Sequence, residues 1–70
     1  MRICDFTKPE LDHFRDQCNF TTAEMQAFNM KAKDCTNIQI AMKLNVSEST
    51  VAVIMRRVRT KIAKVLSWTV

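Results

Sequence analysis

Apolar side chains recur along this chain every three or four residues, in four stretches separated by short polar breaks. Leu11, Phe14 and Cys18 share one helical face, and Met25, Phe28 and Ala32 share a second, with Ala27 and Met30 beside them. Ile40, Ala41 and Leu44 form a third. Val51, Ile54, Val58, Ile62 and Val65 form the longest stripe, stepping three, four, four and three. This is the period of a helix with one buried side. It predicts helices over roughly 8–18, 22–33, 37–44 and 48–66, with these stripes as the core.

The breaks between the stripes follow one rule. Asp5-Phe6-Thr7, Asn19-Phe20-Thr21, Asp34-Cys35-Thr36 and Asn45-Val46-Ser47 all read as Asx, apolar, hydroxyl. The hydroxyl residue suits an N-cap, because its oxygen accepts from a free N–H of the first turn. The apolar residue before it can pack on the fourth helical residue, which is Leu11, Met25, Ile40 or Val51. Glu10, Glu24 and Gln39 stand where a capping box needs them, and Thr50 takes that place in the fourth copy. In the last three copies the Asx residue can also end the preceding helix, since Asn and Asp tolerate the left-handed conformation.

Composition explains why Asx residues do this work. The chain has 70 residues, no glycine and a single proline, Pro9, which falls in a first helical turn where it is tolerated. Without glycine, tight hairpins and phosphate-cradling loops have no material. An all-α fold follows, a small bundle of four helices in one domain over residues 1–70. No run of apolar residues is long enough to span a membrane, and the N-terminus has no signal-like apolar stretch, so a cytoplasmic protein is expected.

Charge divides the chain in two. Residues 1–34 carry five Lys and Arg against six Asp and Glu, whereas residues 35–70 carry six against Glu48 alone. A polyanion would sit on the second half. Catalytic chemistry is not expected. There is one histidine, His13, and the carboxylates Glu10, Asp12 and Asp16 read as the exposed face of the first helix. Cys4, Cys18 and Cys35 are an odd number with no Cys-x-x-Cys, and His13 and Cys18 do not share a helical face. Free thiols are expected, with no metal site and no cofactor.

Thr36 to Val58 carries the candidate site. A short helix, the turn Asn45-Val46-Ser47 and a long helix with a basic end have the layout of a helix-turn-helix unit. Ile40, Ala41, Leu44, Val46, Val51 and Ile54 supply its interior, and Ala41 is small enough for a close crossing. On these residues the chain resembles the LuxR/GerE type of DNA-binding domain, and region 4 of bacterial sigma factors. The matching runs are Phe20-Thr21-Thr22-Ala23-Glu24, Asn37-Ile38-Gln39-Ile40-Ala41, Leu44 to Val51, and Arg56-Arg57-Val58-Arg59-Thr60-Lys61-Ile62. The resemblance covers residues 20–66 and leaves 1–19 as an N-terminal helical extension.

The resemblance implies a small transcription regulator that binds double-stranded DNA in a sequence-specific way, its last helix entering the major groove from Ser47 onwards. Ser47, Glu48, Ser49 and Thr50 would open that helix against phosphates or base edges. Ala52 and Val53 stand where relatives often carry polar base readers, and would offer apolar contact to thymine methyls instead. Arg56 would reach a guanine or a phosphate. Thr36 and Lys43 would approach the backbone from the preceding helix, and Arg57, Arg59, Lys61 and Lys64 would add phosphate attraction. Arg57 has a second use, pairing with Glu24 or another carboxylate. Asp34 replaces the usual glycine, Ile38 stands where a cation is common, and the dimerising fourth helix of the GerE type has no evident counterpart.

Two further expectations concern partners. A module this small suits a homodimer reading two half-sites, with Val65, Leu66 and Trp68 at the end of the last helix as the contact. That end can instead pack on Leu11 and Phe14 within one chain. The alternative function is a protein-interaction adaptor that contacts RNA polymerase or a regulator. It would use a patch of Ile38, Met42, Ala52, Val53 and Met55.

Overall fold

The computed structural model describes residues 2–68. A 3-10 turn at Ile3–Asp5 precedes four helices: α1 (Lys8–Gln17), α2 (Thr22–Ala32), α3 (Asn37–Leu44) and α4 (Glu48–Trp68). The fold is all-α, and no strand occurs among the described residues.

Each helix starts where a hydroxyl stands. Thr7 Oγ1 accepts from Glu10 N–H at 3.4 Å while Thr7 N–H donates to Glu10 Oε1 at 2.8 Å. Thr21 with Glu24 and Thr36 with Gln39 repeat the reciprocal pair. Ser47 Oγ accepts from Thr50 N–H at 3.2 Å and lies 3.0 Å from the Thr50 hydroxyl. Four orphaned helix starts are thereby satisfied from within the sequence.

Helix ends are less uniform than expected. Asp34 and Asn45 adopt left-handed backbone, with φ of 62° and 58°. Cys35 N–H then reaches back to Met30 carbonyl and Val46 N–H to Ala41 carbonyl, closing α2 and α3 in the manner glycine usually permits. Asn19 departs from this expectation and is not left-handed. The chain leaves α1 in extended form through Cys18, with φ −80° and ψ 129°. Asn19 serves by its carbonyl instead, which accepts from Lys61 Nζ at 2.7 Å.

The stripes converge on one core. Phe14, Cys18, Ala27, Phe28, Ile40, Ala41, Val51, Ile54, Val58, Ile62 and Val65 are buried, with Leu11, Phe20, Met30, Ala32 and Leu44 packed at its edge. Three placements differ from the sequence reading. Met55 is 1 % exposed and belongs to the core, not to a surface patch. Val46 is an exposed turn residue. Ile3 is buried although it lies in no helical stripe, carried inward by the 3-10 turn, and Phe6 packs edge-on against Phe14 at 4.9 Å between ring centres.

α4 is the axis of the molecule. Its 21 residues amount to about 31 Å of helix at about 1.5 Å per residue, nearly the full 36 Å long dimension. α2 and α3 pack on it, α1 crosses its C-terminal part, and the 3-10 turn lies against α2. The remaining side of α4 faces outward.

Candidate nucleic-acid interface

α3, the three residues Asn45-Val46-Ser47 and α4 form the helix-turn-helix unit. Ala41 is 6 % exposed where α3 meets α4, and Ile40 and Val51 are fully buried beside it. A larger residue at 41 would push α3 off α4. The left-handed Asn45 sets the turn, and the Ser47 cap sets where α4 begins. Together they leave Glu48, Ser49 and Thr50 exposed in its first turn.

The outward side of α4 has a simple layout. Ser49, Val53 and Thr60 recur along it at helical spacing and are exposed. On one flank Ala52, Arg56, Arg59 and Ala63 step four, three and four, and with Thr60 they line a shallow groove. On the other flank stand Arg57 and Lys64, both exposed. Among the described residues, Arg56, Arg57, Arg59, Lys64 and Lys43 make no ion pair. Free cations on a surface helix are costless to hydrate and remain available to an anionic partner.

Thr36, Lys43, Ser47, Glu48, Ser49, Thr50, Ala52, Val53, Arg56, Arg57 and Arg59 are all exposed. Thr36, Ser47 and Thr50 already spend hydroxyl contacts on caps. Lys61 is placed differently from its neighbours. Its ammonium pairs with the Glu24 carboxylate, donates to the Asn19 carbonyl, and lies 6.0 Å from the centre of the Phe20 ring. Lys61 thus ties α4 to the start of α2. The partner anticipated for Glu24 was Arg57, which acts on it only by charge at longer range.

Glu24 is the one buried charged side chain among the described residues, 4 % exposed. Burial pushes its pKa up. Hydrogen bonds from Lys61 and the Thr21 N–H, with the charges of Lys61 and Arg57, outweigh this and hold the carboxyl below its ordinary value. Cys18 is the reverse case: burial raises its thiol pKa against the weaker pull of Lys61. That thiol is a core residue of low reactivity. No cluster of potential metal ligands occurs among the described residues.

Two basic residues outside the sequence reading lie close to this surface. Arg2 and Lys31 border the same small cavity as Arg59. The packing of the N-terminal turn onto α2 brings Arg2 beside Lys31, and no local pattern announces it.

A helix-turn-helix whose second helix presents cations without ion pairs on both flanks has the layout of a DNA-binding module. The family comparison agrees. The GerE model of bacterial regulatory proteins, luxR family, matches residues 19–67, well over half of the chain, and the chain belongs to this family. No curated protein and no solved structure matches it. The match begins at Asn19, so the 3-10 turn and α1 lie outside the family domain.

Proposed function

We propose that the chain is a sequence-specific DNA-binding protein, a small transcription regulator that inserts α4, from its start near Ser47 onwards, into the major groove. One observation carries the reading. The exposed side of α4 holds a neutral strip, Ser49, Val53 and Thr60, between two basic flanks, Arg56 with Arg59 and Arg57 with Lys64. A helix is about 10–12 Å across and the major groove about 12 Å wide. A helix seated there meets base edges with its central strip and a phosphate backbone with each flank. Val53 and Ala52 suit thymine methyls, and Arg56 suits guanine or phosphate. Thr36 and Lys43 approach the backbone from α3. The expected localisation is the cytoplasm, where such a partner lies.

One module of this size makes few contacts, so two copies on a two-fold site are the natural arrangement. The C-terminal end of α4 is the proposed contact, smaller than anticipated because Val65 is buried and Leu66 lines a groove with Pro9, His13 and Phe14. The Trp68 side chain lies outside the described residues. Selection of bound duplexes from a random pool, beside a sizing measurement, tests both points. A recovered motif with two-fold symmetry and a dimeric complex are expected. Recovery of no motif contradicts sequence-specific binding.

A second reading has its own observation. Ile38 and Met42 are 56 % and 77 % exposed, one turn apart on α3. They suit a protein contact, as in an adaptor binding polymerase or a regulator. Ile38→Ser with Met42→Ser leaves DNA affinity unchanged if that patch serves a protein, and lowers it if the patch lies against the duplex.

A further inference from the structure

The segment before the family domain is docked, not trailing. Ile3 is 4 % exposed in the core. Asp5 N–H donates to the Arg2 carbonyl at 3.1 Å and Phe6 N–H to the Ile3 carbonyl at 3.2 Å. This turn carries Arg2 to the C-terminal end of α2. There the left-handed Asp34 turns its carboxylate to the Arg2 guanidinium at 3.6 Å, and the same oxygen lies 3.6 Å from Cys4 Sγ.

Arg2, Ile3, Cys4, Lys31, Asp34 and Arg59 line one cavity of about 90 Å³. Three cations from three separate parts of the chain line it, against a single lining carboxylate, and the groups whose charge acts on Arg2 are Cys4, Asp5 and Asp34. One lining carboxylate cannot neutralise three cations. An anion in the cavity relieves the excess. Arg59 also borders the shallow groove of Ala52, Arg56, Thr60 and Ala63, so cavity and groove form one basic track along a flank of α4. The small side chains of Ala52 and Ala63 leave that track open to a bulky chain.

We infer that Arg2, Lys31 and Arg59 form a seat for a backbone phosphate of the bound duplex, supplied in part by the N-terminal segment that the family domain lacks. The inference rests on the DNA-binding reading. It extends the contact of α4 from Arg56 past the groove to a further phosphate on the same strand. Asp34 pairs with Arg2, and the 3-10 turn brings Arg2 beside it without a long flexible arm.

The test uses the full chain and a selected duplex, with affinity followed by fluorescence anisotropy over a range of salt. Each neutralised phosphate contributes about 0.9 to the slope of log affinity against log salt. Arg2→Gln with Lys31→Gln is expected to lower that slope by about one and the affinity about tenfold, with an unchanged circular dichroism spectrum. Arg59 is left intact because it also belongs to the α4 surface. Lys8→Gln with Lys33→Gln removes equal charge beside the α1–α2 groove and should keep the slope. Arg2→Lys with Lys31→Arg should restore it. An unchanged slope in the first variant, or an equal fall in the control, overturns the inference while leaving wild-type DNA binding intact. Should the wild type bind no duplex, the DNA reading itself has failed. Amide shifts of Ile3, Cys4 and Asp34 on adding inorganic phosphate would then reassign the seat to a free anion, which also overturns the inference.

Discussion

Lys61 and Glu24 form the ion pair that ties α4 to the start of α2. Glu24 closes the capping box of α2 and at the same time accepts the Lys61 ammonium, so a single carboxylate joins a helix start to the middle of α4. The two partners are not equivalent. The Lys61 side chain is 31 % exposed and can turn to water, whereas the Glu24 side chain is 5 % exposed and cannot. Lys61→Met should therefore cost about 3 kcal/mol, by stranding a buried charge. Glu24→Gln should cost less, about 1 kcal/mol, because the amide still caps Thr21 N–H. Urea unfolding of the two variants checks the order. The pair also gives stability a pH dependence. The folded-state pKa of Glu24 is depressed, so its contribution is fully present above the ordinary carboxylate pKa and is lost as pH falls through the folded value. Unfolding of the wild type in urea should become easier below about pH 4.3, and Glu24→Gln should flatten that part of the profile. An unchanged profile would show that Glu24 titrates as it does in the unfolded chain.

Among the elements, the helix borders follow from short-range chemistry and the partners do not. Asn45 is held at φ 58°, a region that costs a residue bearing a Cβ about 1–2 kcal/mol. Asn45→Gly should leave stability equal or higher, and Asn45→Val should lower Tm by several degrees, about 4–8 °C per kcal/mol for a domain of this size. Equal melting of the two variants would deny the turn its proposed role. The four caps, the ends at Asp34 and Asn45 and the α4 stripe were legible because each rests on residues within five positions of one another. Asn19 was misread as a helix terminator, since the same triplet also permits an extended exit from α1. Met55, Ile3 and Lys61 escaped for the opposite reason. Their settings come from other elements of the fold: the 3-10 turn of Ile3 packs on α2, and no local period records that Lys61 meets Glu24 across 37 residues.

For the whole molecule, the division of charge seen along the chain becomes a division in space. The acidic residues of the first half sit mainly on α1 and the N-terminal segments, and four cations that make no ion pair among the described residues, Arg56, Arg57, Arg59 and Lys64, line α4. What the sequence could not reveal is that docking residues 2–5 adds Arg2 to that basic side. Arg56→Ala with Arg57→Ala removes a cation from each flank of α4 where neither supports the fold through an ion pair. Its circular dichroism spectrum and melting should match the wild type, and its DNA affinity should fall at least tenfold. The most direct measurement of the central claim is the salt dependence of wild-type binding to duplex DNA. With α4 in the groove and both flanks on phosphates, log affinity should fall linearly with log salt with a slope of several, and the Arg56→Ala, Arg57→Ala variant should reduce it by about two. A slope near zero, or one that this variant leaves unchanged, would contradict DNA binding through α4.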